Sequence, residues 1–467
     1  MNPVMKSRIL MKIAGMFLLC AGPAALAAPP GLIAIRNARI VPVSGPVIEK
    51  GTLVLRDGLI ADVGANAAVP AGAWVIDGDG LTVYPGLIDA ISSWGIPEAA
   101  PTTPAPGGRG NAQAPAPATP ATPATPALRS TGPEDRPATQ SWLRAADLVR
   151  PTDRRLDAAR TAGYTTAVTF PKQGIVAGEG AVVNLGGERP GQMVVTPSVG
   201  LYLTMQTAGF SSFPGSLFGV MAYLRQLWID ADYYKQAQLR YAKNPAGQRR
   251  PDYDRALEGV LDAPRILLPA TTAVQIDRMI RFAGDLKTPT VLYGIHDGYR
   301  AADLIKKSGM PVVVSLRWPS KPRDGDPDSE ESLRTLELRA NAPSTPAALV
   351  KAGVKFAFSA DGVESPREAL RSVKKAVDAG LSREDAVRAL TLSAAEIYGV
   401  ADRLGSLDRG KIANLVLVKG DLFDDRAQVR MIFIDGVKYD PAPEPPPGSG
   451  GGRPGAPTSP LEVREER

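Results

Sequence analysis

Short apolar runs at Tyr164–Phe170, Arg265–Ala270, Thr290–Ile295, Pro311–Trp318 and Lys355–Asp361 each lead into helix-like sequence, and this alternation constrains the fold more than anything else in the chain. Strand–helix repetition of this kind builds parallel α/β architecture. Thr345 before Pro346 predicts an N-cap and first-turn proline, and Ser382 predicts the cap of a helix running to Leu390. The alternation occupies roughly 300 residues, from about 85 to 395, and no glycine-rich phosphate loop follows its first strand. A TIM-like (β/α)8 barrel is therefore expected in place of a doubly wound sheet, with any chemistry at the C-terminal ends of the strands.

The flanks have a different texture. Leu32–Val43, Gly51–Val63 and Ala73–Val83 are apolar segments separated by Gly, Pro and Asp, and RDGLIADVG reads as a hairpin about an Asp-Gly turn. Asn414–Val418 and Val429–Val437 repeat the pattern, with Asp435-Gly436 as a second turn. Strands at both ends around a long α/β middle predict one β-sandwich assembled from 29–84 and 397–440, with the barrel at 85–396 inserted between them.

The first residues read as a signal peptide, 1–28: Lys6, Arg8 and Lys12 precede an apolar run at Ile13–Leu19, and Ala25-Leu26-Ala27 supplies a cleavage pattern. That run is too short to span a bilayer, and no later stretch approaches the ~20 apolar residues a membrane span requires. Cys20 is the single cysteine, so the mature chain is expected to lack thiols, which suits the periplasm or the exterior; lipidation at Cys20 is the alternative, disfavoured by the bulk of Leu19 before it. The net charge of +6 is spread along the chain, which argues against a nucleic-acid partner. Pro101–Pro126, within a proline-rich insertion at 98–140, and Pro441–Pro460, within a tail at 441–467, are expected to be extended, because such sequence buries too little apolar surface to order itself.

The first barrel strand is VYPGLIDAISSWGIP, a strand, a Pro-Gly break and a second strand. This stretch resembles the opening of the amidohydrolase superfamily barrel, in its imidazolonepropionase-like branch, where the pattern is PGLIDAHSHxG. The likeness continues through TAGYTTAV, GIVAGEGAVVNLGG, FPGSLFGVMAYLRQLW, DGYRAADLIKKSGMPVVV, AGVKFAFSADG and LGSLDRGKIANLVLVKGD, covering nearly all of Ile33–Asp440 outside the proline-rich insertion. The resemblance implies a TIM-like barrel with a composite β-sandwich, and hydrolysis of non-peptide carbon–nitrogen bonds with one or two divalent metals.

The ligands that the resemblance calls for are mostly missing. Ile91 and Ser93 stand where two histidines would share a strand face, and Pro269 stands at the fifth-strand histidine. No lysine lies between Lys172 and Lys235 to serve as a bridging carboxylate carrier, and Glu179 and Glu188 read as loop residues. Asp361 matches the aspartate ending the eighth strand, a metal ligand or proton acceptor in the family. His296, the only histidine, falls two residues beyond the sixth-strand position near Gly294, one layer further out on the same face by simple alternation. Asp361 and His296 are thus the candidate catalytic residues, with Arg317 and Trp318 as candidate substrate contacts; no metal or other cofactor is assigned.

Other chemistries find little support. There is no G-x-S-x-G elbow, any Ser-His-Asp triad would need His296, and no carboxylate pair is singled out at strand ends. Two readings follow: a periplasmic C–N hydrolase with a reduced metal site, or an inactive relative that binds a small molecule or partners a histidine-complete homologous subunit.

Overall fold

The computed structural model describes residues 31–97, 132–207, 212–321 and 330–442. The expected signal peptide with Cys20, most of the proline-rich insertion and the far C-terminal tail lie outside these residues. The strands, in chain order, are β1 (Leu32–Ile40), β2 (Ile48–Arg56), β3 (Leu59–Gly64), β4 (Trp74–Asp77), β5 (Leu81–Pro85), β6 (Leu87–Ser92), β7 (Tyr164–Thr169), β8 (Val176–Glu179) and β9 (Ala181–Asn184). They continue with β10 (Val194–Thr196), β11 (Leu201–Leu203), β12 (Ile266–Pro269), β13 (Thr290–Ile295), β14 (Val312–Ser315), β15 (Phe356–Ser359), β16 (Leu415–Lys419), β17 (Gln428–Ile434) and β18 (Val437–Tyr439).

Both chain ends share one sheet, in the order β18-β17-β16-β5-β1-β2-β3, with β4 beside β1. The join is antiparallel, between β5 and β16, where Val83 faces Leu417. Alternation sends Ile33, Ile35, Leu53, Leu55, Leu415 and Leu417 to one buried face, so strands remote in sequence bury a common core. The two Asp-Gly turns form as the sequence predicts: Asp57-Gly58 joins β2 to β3 and Asp435-Gly436 joins β17 to β18, all four residues at positive φ.

The barrel follows. β6 pairs with β7 in parallel, and β11 to β15 form a continuous parallel run. Closure falls between β15 and β6, where the Ser359 hydroxyl donates to the Ile91 carbonyl at 2.8 Å and the Ala360 N–H donates to the Asp89 carboxylate at 2.9 Å. The third position departs from the all-parallel expectation. There β9 runs antiparallel to β7 and β8 antiparallel to β11, and the two meet at Gly180. A Cβ at Gly180 would lie 2.1 Å from the Phe170 ring, so glycine is what lets this strand kink across the barrel interior.

Two apolar layers hold the barrel. Leu87, Leu268, Leu292, Val314 and Phe358 face the surrounding helices. Ile88, Val168, Leu267, Val291, Val313 and Ala357 fill the interior, joined from the helix Leu392–Tyr398 by Ala394, Ala395 and Tyr398. Arg265, just before β12, donates to the carbonyl of Ile397 and ties that helix to the N-terminal end of the barrel.

Local readings hold in part. Ser382 caps Arg383–Ala389, its hydroxyl accepting from the Asp385 N–H. Thr345 is not an N-cap: it begins the helix Thr345–Ala352, and its hydroxyl instead donates to the His296 carbonyl at 2.6 Å, a tertiary bond that outcompetes local capping. Residues 132–140, read as part of the proline-rich insertion, carry a short turn of helix at Pro133–Asp135, and Arg136 pairs with both Asp230 and Asp254. Among the described residues no helix is long and apolar enough to cross a membrane.

Candidate functional site

The C-terminal ends of β6, β7, β11, β13 and β15 converge on a small group of polar and aromatic side chains. Asp361 sits in the turn after β15, its carboxylate 45% exposed and 3.3 Å from the Lys172 ammonium. Lys172 follows β7 and is 25% exposed, with its nitrogen 4.1 Å from the centre of the Tyr202 ring. Tyr202 stacks on Tyr293 at 4.7 Å and lies 5.4 Å from Phe170. The Tyr293 hydroxyl donates to the Leu203 carbonyl, which fixes that ring across the strand ends.

Asp89 lies beneath this group, 1% exposed. One carboxylate oxygen accepts from the backbone N–H groups of Ala360, at 2.9 Å, and Ile91, at 3.4 Å. The Ser359 hydroxyl accepts from the Asp361 N–H at 3.1 Å while donating to Ile91. The motif strand β6 therefore clamps the turn that carries Asp361. Burial pushes the Asp89 carboxyl up to about 8; the two backbone donors lower it in part, the neighbouring Asp361 raises it, and Lys172 lowers it.

The positions noted from sequence now have definite surroundings. Ile91 is 1% exposed within the barrel interior. Ser93 is engaged by Arg155, which donates to its hydroxyl at 3.2 Å and to its carbonyl at 3.0 Å. Pro269 ends β12 opposite Tyr293. Glu179 is not a loop residue: it ends β8, is 6% exposed and is bonded by Ser198 with Arg144 at 3.6 Å, because pairing with β11 overrides the flexibility of its flanking glycines.

His296 and Asp361 are not joined. Gly294 adopts φ +81° and the pairing with β14 shifts register there, so the two-residue alternation that would align His296 with Gly294 fails. His296 instead lies 6.0 Å from Trp318, its Nε2 buried without a hydrogen-bond partner. Burial lowers its pKa to about 4, hydrogen bonds with the Ser315 and Arg317 backbone oppose the shift, and the Arg317 charge adds to it. The Trp318 indole donates to the Ser372 carbonyl at 2.9 Å, anchoring it on the helix Pro366–Asp378. Arg317 lies over the Asp361–Gly362 turn, so close that a Cβ at Gly362 would be 3.1 Å from its Cδ.

A cavity of about 480 Å³ opens beside Lys172. Phe170, Leu143 and Leu148 supply apolar wall, and Ser93, Gln140 and Gln173 supply polar groups. That mixture of apolar lining and a few polar side chains is typical of small-molecule sites.

The described side chains at these strand ends do not offer a divalent metal a converging donor set. Among the described residues no three His, Cys, Asp or Glu side chains converge, and the group facing Asp361 is an ammonium, which repels a second cation. Lys172 and Asp89 are the residues that sequence reasoning passed over. The signal for Lys172 was its place three residues past β7; for Asp89 it was a carboxylate within an otherwise apolar strand.

The fold defines the class, a TIM-like barrel carrying a composite β-sandwich. A family model described as the amidohydrolase family matches residues 286–438. A 5-methylthioadenosine/S-adenosylhomocysteine deaminase of Moorella thermoacetica is 42% identical over 64 residues, 13% of this chain and 15% of that protein. An imidazolonepropionase of Mesorhizobium japonicum is 43% identical over 68 residues, 13% of this chain and 17% of that one. The chain thus matches about a sixth of the length of these curated relatives. The crystal structure of an amidohydrolase from Thermotoga maritima superposes with a TM-score of 0.70 at 23% identity, over 87% of this chain and 100% of that one, which establishes the shared fold. Over residues 286–438 the chain is similar to the amidohydrolase family, and it shares the fold of a solved amidohydrolase.

Proposed function

We propose that the protein is a periplasmic hydrolase of a non-peptide carbon–nitrogen bond in a small molecule, working with the Lys172–Asp361 pair in place of a divalent metal. The observation that carries the reading is that ion pair at 3.3 Å, set on the strand ends beside a cavity. Its distribution of roles follows from the groups themselves. The Asp361 carboxylate, open to solvent on one side, accepts the proton of an attacking water and returns it to the leaving nitrogen as the C–N bond breaks, giving the acid and the free amine. The Lys172 ammonium, held over the Tyr202 ring, polarises the scissile carbonyl and stabilises the oxyanion that forms on it. Asp89 and Ser359 act as positioning residues, since both bind the backbone of the turn that presents Asp361. Location outside the cytoplasm is supported by Lys6, Arg8 and Lys12 ahead of Ile13–Leu19 and by Ala25-Leu26-Ala27.

A second reading has its own support. Ile91 stands at a ligand position of the resemblance and packs in one interior cluster with Phe170, Tyr202 and Tyr293, which suits a catalytically silent barrel that binds a small molecule or partners a histidine-complete homologue. An assay against a panel of acyl amides, ring amides and ureas separates the two. Hydrolysis that falls by at least ~100-fold in both Asp361→Asn and Lys172→Met supports the hydrolase, a loss typical of removing a base or an oxyanion donor. Activity unchanged by either substitution refutes the assigned roles, and ligand binding without turnover across the panel favours the silent barrel.

A further inference from the structure

The helix Leu217–Lys243 is the longest of the described residues, 27 residues capped by the Ser216 hydroxyl. Its inner face buries Val220, Leu224, Leu227 and Ala231 at three- and four-residue spacing. The opposite face carries Phe218, Arg225, Ile229, Tyr233 and Arg240, whose spacings of 7, 4, 4 and 7 keep them in one stripe along the helix. Phe218 is 85% exposed, Ile229 61% and Tyr233 69%. Single exposed apolar residues need no explanation, but aromatic residues and arginines in line are the composition of a protein interface.

The stripe is complementary to itself. When a second copy of the helix lies antiparallel across it, with a twofold axis at Ile229, the residue n positions before 229 faces the residue n positions after it. Ile229 then meets Ile229, Arg225 meets Tyr233, and Phe218 meets Arg240. Each guanidinium finds an aromatic ring, and each such contact occurs twice. A parallel pairing in the same register sets Arg225 on Arg225 and Arg240 on Arg240, so charge selects the antiparallel arrangement.

The side chains are already arranged for this. Arg225 is held by Asp285 at 2.9 and 2.8 Å and lies 5.1 Å from the Phe282 ring. The Arg240 guanidinium lies 5.9 Å from its own Tyr233 ring, which stays 69% exposed. An open groove of about 810 Å³ runs beside Ile229, between this helix and Gly284–Pro289, and extends the contact surface past the helix pair.

We infer that the protein self-associates as a twofold dimer through the Leu217–Lys243 helices, crossing antiparallel at Ile229. Sedimentation equilibrium of the full chain in a Cys20→Ser background tests it at micromolar concentration. A dimer is expected, with the mass halved in Ile229→Glu at unchanged circular dichroism. Ile229→Cys is expected to oxidise to a covalent dimer, because the axis residue meets its own copy. Phe218→Cys alone is expected not to, since its copy lies about 33 Å away at 1.5 Å rise per residue; Phe218→Cys combined with Arg240→Cys restores the cross-link. A monomeric chain overturns the inference, whether the stripe is then covered by the chain's own proline-rich segment or reserved for a homologous subunit. A dimer that persists in Ile229→Glu, or one cross-linked through Phe218→Cys alone, overturns it as well.

Discussion

Asp89 is a carboxyl held almost wholly out of water, 1% exposed. Its carboxyl is protonated in the fold up to about pH 8 but titrates near 3.8 when unfolded, so folding favours the proton. The sign follows: the stability it contributes is fully present below about pH 4 and is lost as the pH rises through about 8. Asp89→Asn keeps an acceptor for the Ala360 and Ile91 N–H groups and removes the charge. Thermal melts are therefore expected to show the variant gaining on the parent between pH 5 and pH 9, by on the order of a few kcal/mol at the alkaline end. No relative gain at pH 9 would contradict the burial argument. His296 runs the other way. Its folded pKa of about 4 lies below the unfolded 6.5, so its contribution is lost as the pH falls from 6.5 through 4. As the sole histidine it gives one assignable imidazole signal, and nitrogen NMR is expected to find it neutral at pH 5.5. A midpoint near 6.5 would place it in solvent instead.

At the scale of elements, regular strands were legible and irregular ones were not. Thr290–Ile295 was read with the bounds the structure gives, because an apolar run of β-branched and aromatic residues follows Pro289. The third barrel position was not legible, since Gly178 and Gly180 read as loop while tertiary pairing makes strands of β8 and β9. Site residues divide in the same way. Asp361 was legible through its resemblance to the aspartate that ends the family's eighth strand, whereas Lys172 was not, because an ammonium is not a metal-ligating group. The distance between Lys172 and Asp361 in sequence is bridged only by barrel closure, which no local pattern records. The kink at Gly180 gives a direct test. Gly180→Ala forces a methyl into the Phe170 ring and is expected to cost at least about 1–3 kcal/mol, as overpacking does. Phe170→Leu in the same chain should recover part of that loss, and denaturant midpoints measure both.

For the whole molecule, the decisive property is whether a metal contributes to the folded state. A tightly held divalent ion stabilises the native form by mass action, so its removal lowers the melting temperature. With an ammonium against Asp361 and no converging donor set among the described residues, prolonged chelation is expected to leave the melting temperature unchanged. A drop of several degrees that zinc or manganese reverses would reinstate a metal centre and remove the basis for the Lys172 role.

The seam between β5 and β16 has a consequence of timing. Tyr84 pairs with Val416, so the sheet that houses the first strands lacks its central partner until nearly the whole chain has been made. Early strands then wait with open edges, and contacts of such long sequence separation form slowly. The β16 segment is thus the one that lets the sandwich lock, so the topology itself holds back folding of the early strands until residues 415–419 have been made.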